Sequence, residues 1–204
     1  AKLELTMKVG AQDDRIRLLT EMEKEYEGFN KAVKIVMQAA EKNTLRGIHG
    51  PVAGLMTTKQ EYAVALETAL GGALQNIVVD REEDAKAAIQ FLKQRDGGRA
   101  TFLPLTAIRG DELRENVDGE YGFVGVASRL VRYDSRYDNI FRNLLGRTVV
   151  VEDLDCGIAL ARRYRNAFRI VTLDGQVINR GGSMTGGSTS RSAGVLSRAA
   201  ELER

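Results

Sequence analysis

Residues 69–80 read Ala-Leu-Gly-Gly-Ala-Leu-Gln-Asn-Ile-Val-Val-Asp, and residues 144–153 read Leu-Leu-Gly-Arg-Thr-Val-Val-Val-Glu-Asp. Each stretch ends a helix on glycine, as helix C-termini favour, then runs into β-branched strand residues that close on acids. Each is followed by a second helical segment, Glu82 to Arg95 in the first case and Leu154 to Arg165 in the second. Each then reaches another strand, Arg99 to Leu105 and Phe168 to Leu173. A helix–strand–helix–strand unit is therefore predicted twice. The fold class that follows is mixed α/β, with two related subdomains joined by the polar stretch Gly110 to Tyr121.

Both flanks of this body read as helix. Ile16, Leu19, Met22, Tyr26, Phe29, Val33, Val36 and Ala40 follow coiled-coil spacing from Leu19 onward, interrupted at Gly28, although an ordinary amphipathic helix fits the same residues. Residues 3–9 alternate like a strand but also extend the heptad, and helix is preferred there. Residues 196–204 are strong helix formers. The expected layout is a coiled-coil helix over 1–28, subdomain I over 29–115, subdomain II over 116–195, and a returning helix from 196 to 204. The body would thus sit at the bend of an antiparallel coil. The chain opens at Ala1 in mid-pattern, which reads as a piece of something larger.

Composition narrows the chemistry. The 204 residues are 43% hydrophobic and 28% charged, with a net charge of +2. That charge is too small to announce a nucleic-acid binder, so any basic surface must come from local clustering. Cys156 is the only cysteine and His49 the only histidine, which excludes a Cys-x-x-Cys metal site and any zinc cluster. No apolar run has the length of a membrane span. The cysteine usage fits a reducing cytosol.

The glycine-rich stretch from Gly181 to Gly187 (Gly-Gly-Ser-Met-Thr-Gly-Gly) demands a steric reason, because glycine in an ordered segment is entropically costly. It lacks the lysine of a nucleotide-binding P-loop, and neither strand–helix joint carries a dinucleotide glycine triplet. Anion binding by successive amides stays open. The acids at Asp80, Glu82, Glu83 and Asp84, and at Glu152, Asp153 and Asp155, are read as helix caps rather than metal ligands. His49 is read as a hydrogen-bonded turn histidine. Arg162, Arg163, Arg165 and Arg169 are read as a solvated helix end. Lys31 and Lys34 beside the entering helix, and Arg180, Arg191 and Arg198 near the leaving one, gather around one junction if the two helices meet. No catalytic constellation, metal set or cofactor site emerges.

Four segments in order resemble the hinge domain of the SMC (structural maintenance of chromosomes) family. They are Thr44-Leu-Arg-Gly-Ile-His-Gly-Pro-Val, residues 69–79, Ala88-Ile-Gln-Phe-Leu-Lys, and Gly98-Arg-Ala-Thr-Phe-Leu-Pro-Leu. Asn179-Arg-Gly-Gly-Ser-Met-Thr-Gly-Gly-Ser resembles that hinge's glycine-rich close, and the likeness spans roughly residues 28–195, nearest to bacterial members. The resemblance implies a non-catalytic homodimerisation module at the far end of a coiled coil, with ATPase heads elsewhere. Chromosome condensation and segregation on the cytoplasmic nucleoid would be the setting, with kleisin-type and accessory subunits binding other parts of the full-length protein. It implies that Gly181, Gly182, Ser183, Met184, Thr185, Gly186 and Gly187 line the contact between two copies. It also implies weak, sequence-independent DNA contacts at the coil junction, through Lys31, Lys34, Arg180, Arg191 and Arg198. Family members often carry a lysine run after the second glycine pair. Here only Arg191 keeps a charge there.

Two other readings compete. One is a small-molecule or nucleotide-binding α/β domain with the glycine loop as a phosphate cradle. The other is a primarily DNA-binding domain, recognisable by a steep salt dependence.

Overall fold

The computed structural model describes residues 8–17, 28–188 and 196. Residues 8–17 form an exposed helix (α1). The chain turns at Gly28, where φ is 94°, and helix restarts as α2 (Lys31–Glu41). The restart is capped: the Asn30 side chain accepts from the Val33 amide at 3.0 Å. The heptad assigned to residues 16–40 is therefore not one seam. Val33 and Val36 are buried in the core of the body, and Phe29 packs against the same cluster. Leu19, Met22, Tyr26 and residues 3–7 lie outside the described residues, as do Arg191 and Arg198.

The first half runs β1 (Ile48–Pro51), β2 (Met56–Thr58), α3 (Gln60–Leu70), β3 (Ile77–Val79), α4 (Glu82–Gln94) and β4 (Phe102–Pro104). The second runs β5 (Phe123–Val126), β6 (Val131–Tyr133), α5 (Asp138–Leu145), β7 (Thr148–Val151), α6 (Leu154–Arg163) and β8 (Arg169–Thr172). Two short strands follow, β9 (Val177–Ile178) and β10 (Met184–Thr185). In each half a strand pairs antiparallel with a central strand that pairs parallel with the next: β1-β3-β4, and β5-β7-β8 continued by β9 and β10.

The repeat reaches further upstream than the helix–strand–helix–strand reading. Gly50-Pro-Val-Ala-Gly-Leu-Met and Gly125-Val-Ala-Ser-Arg-Leu-Val both carry a strand into a 3-10 turn and out into a second strand. Both first strands are irregular at the same place, Ile48/Gly50 and Phe123/Gly125. Even the closing contacts repeat: Asp80 N–H donates to Gly47 O and Glu152 N–H to Gly122 O, each at 2.9 Å. The second strands of the two halves pair with each other, Thr57 opposite Arg132, and so join the halves backbone to backbone.

Packing joins them more strongly. One cluster takes Leu66, Leu70, Val78 and Leu103 from the first half with Ile140, Phe141, Leu145, Val150 and Val171 from the second. Apolar residues on α3 and α5 meet in this cluster, and α3 also packs on β8 of the second half. Two satellite clusters lie on the outer sides, under α2 and α4, and under α6. The linking stretch is pinned to the second half: Gly110 N–H donates to Asn139 Oδ1 at 2.9 Å, Leu113 N–H donates to Gly146 O at 2.8 Å, and Val117 is buried. At the returning end, Leu196 enters the shared cluster and its N–H donates to Glu67 Oε1 at 2.8 Å.

Candidate interaction site: a glycine-rich sheet edge

β10 is the outer strand of the five-stranded sheet, and Met184 and Thr185 are both exposed. A tight turn delivers it. Gly182 N–H donates to Asn179 O at 2.9 Å and Asn179 N–H to Ser183 O at 2.7 Å. Gly181, Gly182 and Gly187 hold φ values of 90°, 108° and 134°, where an L side chain is strained. Gly186 has no such backbone demand. A Cβ there would instead collide with the Gln176 carboxamide. Within one molecule, then, three of these glycines serve backbone conformation and one serves a side chain.

Ladder geometry fixes which backbone groups are free. Ser183 bonds across to Asn179, so Ile178 and Met184 form the wide pair, and the N–H and C=O of Met184 point away from β9. Among the described residues this edge is bare, and Met184 leaves 53% of its surface exposed beside it. The first half has an edge of the same kind. Thr101 O and Leu105 N–H bond to β3, so Phe102 presents N–H and C=O outward, followed by Pro104, which has no N–H. The other edges of these two sheets, β1 and β5, are interrupted by their irregularities, which end regular pairing.

The phosphate-cradle reading fails on donors. The amides of Gly181, Gly182 and Gly187 are already given to Asn166 O, Asn179 O and Gln176 Oε1. A cradle needs such amides to converge on the ligand.

Of the cations predicted around one junction, Lys31, Lys34 and Arg180 lie among the described residues. Lys31 and Lys34 lie on α2, whose core belongs to the first half. Arg180 is exposed beside Gly181, which is tied to Asn166 past the end of α6. Arg169 departs from the solvated-face reading. It is half-buried, donates to Ala69 O at the C-terminus of α3 (2.5 Å), and desolvation pulls its pKa down. The sequence signal was its place at the start of a buried strand rather than on the helix.

His49 is hydrogen-bonded, as read, but not in a turn. It lies on β1, and its ring joins distant groups: Nδ1 meets Tyr137 Oη at 2.8 Å and Nε2 meets Asp80 Oδ1 at 2.5 Å. These partners lie 88 and 31 residues away, so proximity in sequence could not reveal them. The acids do cap. Asp153 accepts from the Cys156 amide at 2.8 Å, which holds its carboxyl below the usual range, and Asp84 accepts from the Arg81 amide at 3.1 Å. A second tyrosine is set by burial: Tyr133, bonded to Asp138, is pushed up to about 12.

The fold and site define a class: a two-unit α/β module, joined strand to strand, with an unpaired glycine-flanked edge on its second unit. Residues 45–161 match the family model described as "SMC proteins Flexible Hinge Domain". The chain belongs to the SMC hinge domain family. It is similar to the chromosome partition protein Smc of Bacillus subtilis (strain 168), 44% identical over 191 residues, 91% of this chain and 16% of that protein. The Smc of Methanocaldococcus jannaschii is 43% identical over 189 residues, 92% of this chain and 15% of that one. The chain thus spans a small part of these relatives' length. Among solved structures it is similar to an asymmetric dimer of the Geobacillus stearothermophilus SMC hinge domain, with a TM-score of 0.89 and 43% identity, covering 100% of this chain and 83% of that one. The Pyrococcus furiosus SMC hinge domain gives 0.67 at 32% identity, covering 86% and 88%.

Proposed function

We propose that the chain is a homodimerisation hinge in which β10 of one copy pairs with β4 of a second. The carrying observation is that, among the described residues, each of the two larger sheets keeps one edge free of register shifts, β4 on the first half and β10 on the second. If a two-fold axis relates the copies, each of these two edges meets the other kind and neither is left over. β10 pairing with itself would leave β4 uncovered. The segment Gly181, Gly182, Ser183, Met184, Thr185, Gly186 and Gly187 is the contact in this reading. The Geobacillus relative, described as an asymmetric dimer, supports self-association.

Light scattering on the eluting protein tests the stoichiometry, and cysteine cross-linking tests the pairing. Met184→Cys with Phe102→Cys is expected to link two chains under mild oxidation, while Met184→Cys alone does not. A monomer at micromolar concentration refutes the dimer. Cross-linking by Met184→Cys alone refutes the β10–β4 arrangement.

In the longer protein, this hinge holds two coiled-coil arms together in a chromosome-organising ATPase on the nucleoid. Catalysis and kleisin-type subunits belong to other parts of that protein. DNA contact is accessory, non-specific and carried by a few cations such as Lys31, Lys34 and Arg180. The log of DNA affinity should therefore fall with log salt on a shallow slope, as only a few phosphates are met. A steep slope would favour a primary DNA-binding role.

A further inference from the structure

The β9–β10 ladder ends one residue too early for its own register. After the pairs Ile178–Met184 and Val177–Thr185, the next narrow pair would be Gly175 with Gly187. Gly175 is committed elsewhere, closing a turn by donating to Thr172 O at 3.0 Å. The Gln176 side chain fills the missing place. Its Nε2 donates to Gly187 O at 2.9 Å and its Oε1 accepts from Gly187 N–H at 2.8 Å. A carboxamide has the same donor and acceptor as a peptide group, so one side chain continues the ladder as a strand residue would. To do so it crosses directly over Gly186, where a Cβ would collide with it.

The backbone of Gln176 is fixed independently. Its N–H donates to the Thr172 hydroxyl at 2.9 Å, and its neighbours Val177 and Ile178 are buried. The side chain thus reaches from a fixed backbone position in the sheet to the end of an exposed two-residue strand.

We propose that Gln176 is a positioning residue that presets β10 for docking of a second copy, and that position 186 is glycine to leave room for its carboxamide. This rests on the dimer reading above. Without the clamp, β10 is anchored by two residue pairs, a turn and the Asn179 carboxamide, which donates to Ser183 O and Thr185 Oγ1 at 3.3 Å, and the competent edge is populated only part of the time. Such a deficit acts on association: the apparent dissociation constant rises as the competent fraction falls.

The test compares Gln176→Ala, Gly186→Ala and the double variant by subunit-exchange kinetics, sedimentation equilibrium and melting temperature. Gln176→Ala is expected to raise the dimer Kd about tenfold per clamp, roughly a hundredfold for the two clamps of a two-fold dimer. The association rate should carry most of the change, and the melting temperature of the protomer should stay put. Gly186→Ala is expected to match it, because its backbone accepts alanine and the flexible carboxamide swings away. The double variant should be no worse than either single one. A merely structural role would lower the melting temperature and leave the association rate alone, which overturns the proposal. Multiplicative effects in the double variant overturn it as well. Met184→Pro separates the two levels: if it dissociates the dimer while Gln176→Ala leaves Kd and association rate unchanged, the clamp fails and the interface stands. If Met184→Pro leaves the dimer intact, the interface reading fails and the clamp fails with it.

Discussion

Met184→Pro is a demanding test of the edge. The N–H at position 184 points away from β9, so proline removes no hydrogen bond within the molecule, and edge strands tolerate it there. What it removes is the one donor that β10 offers outward, together with the close approach of a second backbone. The Phe102 carbonyl of the docking copy then loses its partner inside the contact. Leaving a buried acceptor unpaired costs about 1–3 kcal/mol. A two-fold dimer contains the defect twice, so about 2–6 kcal/mol is expected, a rise in Kd from roughly thirtyfold to above ten-thousandfold. Sedimentation equilibrium over a concentration series reads this directly. Met184→Ala keeps the donor and loses only the side chain, so it should cost less. A Kd for Met184→Pro within threefold of the parent would refute the reasoning, provided the melting temperature shows that the protomer is intact.

Phe141 is fully buried in the cluster shared by both halves, so Phe141→Ala should cost about 4 kcal/mol and lower the melting temperature by about 10 °C in one transition; two separated transitions would show that the halves fold independently. Asn30→Ala removes the cap of α2 and should cost about 1 kcal/mol, read from the denaturation midpoint, with no change expected in dimer affinity. Burial and Asp138 push the Tyr133 hydroxyl up to about 12 from 10.0. A raised pKa stabilises the fold fully below pH 10 and is lost as pH climbs towards 12, so stability should fall across that window. In Tyr133→Phe the fall should flatten, and an unchanged slope between pH 10 and 12 would sink the assignment.

Residue order was enough for the local grammar. The glycines after Leu70 and Leu145 end α3 and α5, the valine-rich runs form the central strands, and acids at Asp84 and Asp153 cap the helices that follow. These depend on interactions within a few residues, so periodicity and capping patterns expose them. The upstream half of the repeat was harder to see, because Gly50 and Gly125 open stretches whose side chains otherwise differ in size and polarity. They match in backbone path, which many sequences satisfy.

Contacts between distant residues needed the folded molecule. Nothing near His49 in sequence points to Tyr137, nothing near Arg169 to the end of α3, and nothing near Gly186 to Gln176. The glycine segment announced that something needed its space, and sequence could not say whether that was backbone twist, a neighbouring side chain or a second molecule. The structure separates these. Positive φ accounts for Gly181, Gly182 and Gly187, and the Gln176 carboxamide accounts for Gly186. Strand order and hydrogen-bond phase then leave Met184 facing outward. Whether a strand lies inside a sheet or at its rim depends on which other strands arrive beside it, and that is settled only when the whole chain has folded.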